Sequence, residues 1–265
     1  MARIAVAATA PFGADVLERL AAHREIATVL TRPDKPAGRG RHETAPPAKV
    51  AAERLGIPVL QPERLDPELD LGAPTVVVVA YGVLIPPAVL EGRLWLNVHP
   101  SLLPRWRGAA PVERAIMAGD RETGVTIHET VEALDAGPIA AQRAFPIGSD
   151  EDAGAVYAHA AEVAAELLDG VLSGEPSFTP QPEAGVTYAE KITAADRELD
   201  WSRPPQELLD TIRALSPHIG ARGELNGRRL TIWRARLEDG KLVPVEVQPE
   251  GKRRMTYDEF RRGLR

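Results

Sequence analysis

The stretch TVVVVAYGVLIPPAVLEGRLWLNVH (75–99) decides the fold class. Residues 75–80 form a nearly unbroken β-branched apolar run, the pattern of a parallel strand covered on both faces. Residues 94–98 (LWLNV) read as a second strand. Working outward, RIAVAA (3–8), EIATVLT (25–31) and IPVL (57–60) are further short apolar runs, with helical patterns at 16–20 and 48–56 between them. Strands alternating with helices at this spacing predict an α/β domain with a doubly wound, Rossmann-like, mostly parallel sheet. Such sheets place their sites at the C-terminal ends of strands.

Downstream, GVTIHET (124–130) and IAAQRAFPI (139–147) read as strands, and residues 151–174 as a long amphipathic helix. The Pro-bearing segment 174–192 reads as partly extended, and PQELLDTIRAL (205–215) as a helix. NG and DG turn signals then lie between β-type runs in ELNGRRLTIWRARLEDGKLVPVEV (224–247). The expected organisation is a main domain at 1–180, a linker at 181–203, and a small, shortened, β-barrel-like domain of OB type at 204–265.

A chain of 265 residues can bury one large core, or a medium core and a small one. Its 44% hydrophobic and 26% charged residues are globular composition, which argues against wholesale disorder. The absence of cysteine excludes disulfides, thiol nucleophiles and thiolate metal sites. Six histidines lie scattered without ligand spacing, so no metal is expected. No apolar run reaches the ~18 residues of a membrane span, and the start, MARIAVAATAPFGA, lacks a signal-peptide pattern, so a soluble cytoplasmic protein is expected. The net charge of −6 argues against a general nucleic-acid binder. Residues 219–265 nevertheless carry 12 basic and 7 acidic side chains, a net of +5.

In an extended LWLNVHP, Trp95, Asn97 and His99 share one strand face, opposite Leu94, Leu96 and Val98. Asn97 and His99 therefore project together where the strand ends. On spacing alone, a reactive pair and a capped, packed strand end are both open. Pro100 and Pro104 stiffen the SLLP segment that follows, and GAAP (108–111) opens a helix that a ligand can approach closely.

The tract NVHPSLLPRWRGAAP (97–111) resembles the signature of the folate-dependent formyltransferases. RPDKPAGRGRHETAPPAKVAAERLGIPVLQP, VVVAYGVLIP, ETGVTIHETVEALDAGPI and VTYAEKI with LDW resemble the same family in the same order, over most of residues 1–217. The resemblance implies the formyltransferase fold and transfer of a formyl group from N10 of 10-formyltetrahydrofolate to an amine. It assigns the catalytic roles to Asn97, His99 and Asp135. Asn97 and a protonated or hydrogen-bonding His99 would stabilise the oxyanion of a tetrahedral intermediate, and Asp135 would favour the imidazolium form of His99 and orient it. Val83, Leu84 and Ile85, with Ser101, Leu102, Leu103 and Pro104, would hold the pterin of the folate.

The basic loop RPDKPAGRGRH (32–42) sets Arg32, Lys35, Arg39 and Arg41 against one acid, Asp34. In the family, this loop distinguishes the branch acting on initiator methionyl-tRNA from relatives acting on small amines. The implied substrate contacts are Lys35, Arg39 and Arg41 on the acceptor end of the tRNA, and Phe12 beside the methionine side chain. Departures from the family pattern are Ala in the AATAPFG turn, ALDAGP around Asp135, and a short C-terminal part. The last of these keeps an amino-sugar nucleotide acceptor, or a non-catalytic folate- or RNA-binding role, as alternatives.

Overall fold

The computed structural model describes residues 3–37 and 42–264. Its main sheet has seven strands. In chain order they are β1 (Ile4–Ala8) and, after helix α1 (Pro11–Ala21), β2 (Ile26–Leu30). A small hairpin, β3 (Lys35–Ala37) and β4 (His42–Thr44), precedes α2 (Pro47–Arg54) and β5 (Val59–Leu60). Next come β6 (Thr75–Val79), α3 (Pro87–Leu90) and β7 (Leu94–His99), then β8 (Arg107–Gly108) and α4 (Pro111–Met117). β9 (Glu122–Glu129), β10 (Ile139–Pro146) and α5 (Ala153–Val171) follow.

The spatial order is β10-β9-β7-β6-β1-β2-β5. The five strands from β5 to β7 are parallel, and β9 joins β7 antiparallel. The winding reverses between β1 and β6, so the sheet is doubly wound as its alternating sequence predicts. All of β1, and the four valines of β6, are buried, which is why both read as continuous apolar runs. Burial of each valine contributes about 1.5–3 kcal/mol.

Register brings the functional loops to one edge. Ala8 of β1 pairs with Val79 of β6, and Val79 with Val98 of β7, so the turns after all three strands leave the sheet side by side. The amide of Ala10 donates to the carbonyl of Ala80 across two of these turns, at 3.3 Å. Gly13 permits this approach: a Cβ there would lie 2.5 Å from the carbonyl oxygen of Val79 and 2.8 Å from the Ala8 Cβ.

Two compact units divide the chain. One gathers the described residues up to Arg107 with Gly124–Ala144 and Ala158–Thr187; the other gathers Gly108–Thr123, Phe145–Tyr157 and the described chain from Tyr188 onward. The segment expected as a linker carries β11 (Tyr188–Ala189) and a 3-10 turn (Ala195–Arg197), before α6 (Pro205–Leu215). The C-terminal sheet is a four-stranded meander, β12 (Ala221–Leu225), β13 (Arg228–Glu238), β14 (Lys241–Pro249) and β15 (Met255–Thr256), followed by α7 (Tyr257–Arg262). Its pairings leave β12 and β15 as edges rather than joining them. Both hairpin signals form as read: Asn226-Gly227 and Asp239-Gly240 adopt positive φ at all four residues. Leu208, Ile212 and Leu215 of α6 pack on Leu230, Ile232 and Val247 of the sheet and Phe260 of α7. Among the described residues no helix is long and apolar enough to cross a membrane.

The Gly13 contact yields a test of the edge. Gly13→Ala pushes a methyl into a backbone carbonyl that cannot rotate away, and is expected to cost about 1–3 kcal/mol. A urea unfolding midpoint unchanged from the wild type would show that α1 shifts freely on the sheet.

Candidate active site

Asn97 and His99 stand on the same face of β7, as alternation requires. The antiparallel partner β9 sets His128 opposite Asn97 and Thr126 opposite His99. The loop leaving β9 then returns Asp135 to this face. Asn97 Nδ2 donates to Asp135 Oδ1 at 3.1 Å. His99 Nδ1 lies 3.7 Å from Asp135 Oδ2, and His128 Nε2 lies 3.7 Å from Oδ1. His99, His128 and Asp135 are each less than a tenth exposed. The three residues singled out in the sequence thus converge on one buried cluster.

The loop meets special backbone demands. Asp135 takes φ +47, a left-handed conformation tolerated by Asp better than by most side chains. Gly137 passes so close to β9 that a Cβ would lie 1.8 Å from the Glu129 carbonyl oxygen. Gln181, in the segment read as a linker, donates from Nε2 to the carbonyls of Asp135 (2.7 Å) and Gly137 (2.8 Å).

Burial and charge act on His99 in opposite directions. Burial pushes its pKa below the ordinary imidazole value. Asp135 and the Trp106 carbonyl pull upward, His128 adds a smaller downward push, and the sum stays downward. Asp135 favours the imidazolium form of His99, and desolvation outweighs that attraction in the free protein. The neutral ring donates from Nε2 to the Trp106 carbonyl, 2.7 Å away, which leaves the Nδ1 lone pair toward Asp135. His128 Nδ1 meets the Glu129 carbonyl at 2.8 Å, and its buried Nε2 makes no hydrogen bond.

The SLLP segment is held from within. Thr126 Oγ1 donates to the Ser101 carbonyl (2.7 Å) and accepts from the amide of Leu103 (3.2 Å), while Gln142 Nε2 donates to the Leu103 carbonyl (3.0 Å). Ser101 and Leu103 are buried, whereas Leu102 and Pro104 are partly exposed. Of the other residues expected at the folate, Val83 and Leu84 are exposed, Leu84 by 80%, and Ile85 is packed in the core with Tyr81 and Val89. Ile85, Ser101 and Leu103 thus shape this wall from behind rather than offering side-chain surface. Phe12 is buried on α1, and Lys35 is exposed at the start of β3. Arg39 and Arg41 lie outside the described residues. At the foot of their loop, Asp34 accepts from Lys49 at 2.7 Å and Gln61 at 2.6 Å, and these two bonds, that from Gln61 first, hold its carboxyl below the usual range.

His128, Thr126 and Gln181 were not singled out by the sequence reading. Alternation along β9 places Thr126 and His128 on one face, but the register that brings that face to Asn97 depends on strand pairing. Gln181 lies 46 residues beyond Asp135 with no pattern linking them. Among the described residues no group of three or more His, Cys, Asp or Glu side chains could hold a metal ion.

The comparisons agree with this architecture. A family model described as formyl transferase matches residues 2–172, and a second, described as formyl transferase, C-terminal domain, matches residues 191–242. The methionyl-tRNA formyltransferase of Cereibacter sphaeroides is 42% identical over 281 residues, covering 96% of this chain and 93% of that protein. Among solved structures, WlaRD, a sugar 3N-formyl transferase determined with dTDP and 5-N-formyl-THF, gives a TM-score of 0.69 at 16% identity, covering 96% of this chain and 99% of its own. Methionyl-tRNA formyltransferase from Clostridium thermocellum gives 0.67 at 16% identity, covering 94% and 99% respectively. At these identities the two structures speak to the fold alone.

The state of His99 predicts an acid limb in stability. The unfolded imidazole protonates near pH 6.5, and the folded one only below that. Between those values the unfolded state binds more protons, so stability falls with falling pH by up to about 1.4 kcal/mol per unit. Denaturant unfolding at pH 7.5, 6.5 and 5.5 should show wild type losing more stability than His99→Gln, and parallel losses would contradict the assignment.

Proposed function

Because the chain belongs to the formyl transferase family, we propose that it moves the formyl group of 10-formyltetrahydrofolate to the α-amino group of initiator methionyl-tRNA in the cytoplasm. The observation carrying this reading is the buried cluster in which Asn97 donates to Asp135 beside the neutral ring of His99. Formyl transfer joins the acceptor nitrogen to the formyl carbon, breaks the bond from that carbon to N10, and carries a proton from the acceptor to N10. Each demand has a candidate group. One amide proton of Asn97 is fixed by Asp135, which aims the other at the oxyanion formed on attack. His99, with Nε2–H held by Trp106, presents Nδ1 as a base for the proton leaving the amine. Asp135, within 3.7 Å of Nδ1, stabilises the imidazolium once that proton has arrived and favours its return to the leaving nitrogen. The resting ring is neutral and the carboxylate acts on the transient ion.

A reduced folate supplies the activated formyl group. The exposed Val83 and Leu84, on the turn beside the end of β7, suit the flat apolar face of its pterin. For the acceptor, support comes from the basic loop and from the 42% identical relative named for methionyl-tRNA. Lys49 and Gln61 engage the loop's single acid, Asp34, and the net positive charge of the loop sequence suits phosphates.

Three measurements test the proposal. Asn97→Ala should lower the turnover of formyl transfer about 10²–10³-fold while leaving folate affinity within a few-fold; a near-normal turnover would remove Asn97 from the chemistry. Charged initiator tRNA and a dTDP-linked amino sugar, offered side by side, should yield formylated tRNA alone. Combining Arg39→Ala with Arg41→Ala should then raise KM for tRNA and flatten its salt dependence. Preference for the sugar, or indifference to the loop arginines, would overturn the acceptor assignment.

A further inference from the structure

The segment 174–192, read as partly extended, does more than connect. At Thr179 it pairs antiparallel with Ile139, through reciprocal backbone bonds of 2.7 and 2.9 Å. Two residues later, Gln181 spends both ends of its amide. Nε2 bonds the carbonyls of Asp135 and Gly137, and Oε1 accepts Arg107 Nε (3.1 Å) and Nη2 (2.6 Å). The guanidinium fixes which end of the amide faces which partner, so the NH₂ group must face the Asp135 loop. Farther along, Thr187 Oγ1 accepts the amide of Trp106 at 2.9 Å, and the Thr187 carbonyl accepts the amide of Arg107 at 2.9 Å. Trp106 is held at φ +64, and its carbonyl is the partner of His99 Nε2. One short segment thus grips both members of the reactive pair through their supports: Asp135 through its own carbonyl, and His99 through Trp106.

We propose that residues 179–187 are a positioning strap, with Gln181 and Thr187 as positioning residues that assemble Asp135 and His99 for formyl transfer. The proposal rests on the formyl-transfer reading above. A plain connector would not engage every hydrogen-bonding group of a glutamine amide, nor would it bond both left-handed residues at the site, Asp135 itself and Trp106, whose carbonyl holds His99. Small displacements at a reactive centre cost large factors in rate, so the strap's effect belongs in kcat rather than in binding.

The test uses the full chain and two pairs of variants. Gln181→Met removes the amide at constant length, while Gln181→Glu keeps the acceptor for Arg107 but turns a carboxylate oxygen on the two carbonyls. Thr187→Val removes the hydroxyl, and Thr187→Ser restores it. Gln181→Met, Gln181→Glu and Thr187→Val should each lower kcat about 10–100-fold, with KM for both substrates within about threefold; Thr187→Ser should recover most of the loss. NMR titration of the His99 ring, identified by its absence from His99→Gln, is the second readout. Gln181→Met should shift the His99 titration further down as the pull of Asp135 weakens, and Thr187→Val should deplete the Nε2–H tautomer. An unmoved titration and tautomer with kcat within twofold would overturn the strap, as would losses confined to KM or equal losses in Thr187→Ser and Thr187→Val. If the wild type formylates no acceptor, the formyl-transfer reading fails, and the titration still decides whether the strap sets the state of His99.

Discussion

A carboxyl group taken out of water must be met by polar partners, and Asp135 is the place where this protein accepts that constraint. Its side chain is 93% removed from solvent and accepts a hydrogen bond from Asn97, and ring nitrogens of His99 and His128 lie 3.7 Å away. Removing a partner from a buried charge costs about 3–5 kcal/mol, against ~0–1 for an exposed pair such as Arg3 and Glu25. The neighbourhood is arranged accordingly. Asn97 is committed to the carboxylate, Gly137 gives up a side chain so that the loop can close on β9, and Gln181 bonds the loop's carbonyls. The same desolvation keeps His99 neutral, so the cluster holds a base rather than a resting cation.

The sheet makes that arrangement possible. The parallel strands β1, β6 and β7 end in register, and their following turns carry the AYG segment, the SLLP segment and the start of α1. Polar backbone cannot be left unpaired inside the apolar layers, so it emerges at this edge, where it is available to a ligand. Thr126 shows how closely wall and site are joined: its single hydroxyl bonds two backbone groups of SLLP and also accepts from Gln142 at 2.8 Å. The residues behind the wall and those on its surface are therefore different sets, although they alternate along the same few positions.

Much of this was legible in order. The unbroken valines of β6 meant burial on both faces, and alternation along β7 put Asn97 and His99 together. The Asn-Gly and Asp-Gly pairs marked two hairpins because those residues tolerate positive φ. Resemblance of motifs, rather than periodicity, supplied Asp135. The residues that escaped notice act through pairing or through backbone. His128 enters because β9 lies antiparallel to β7 in one register, and Gln181 and Thr187 act on carbonyls and amides that carry no sequence signature.

The division between the two sources of information follows from range. Sequence alone determined strand alternation, the common edge and the presence of Asn97 and His99 on one face, because periodicity and turn preference are local properties of the chain. Only the tertiary structure decided that His99 is neutral, that Ile85, Ser101 and Leu103 lie behind the wall, and that a segment read as a linker holds both sides of the site. Those outcomes depend on desolvation and on hydrogen bonds between residues tens of positions apart, which exist only once the chain has folded.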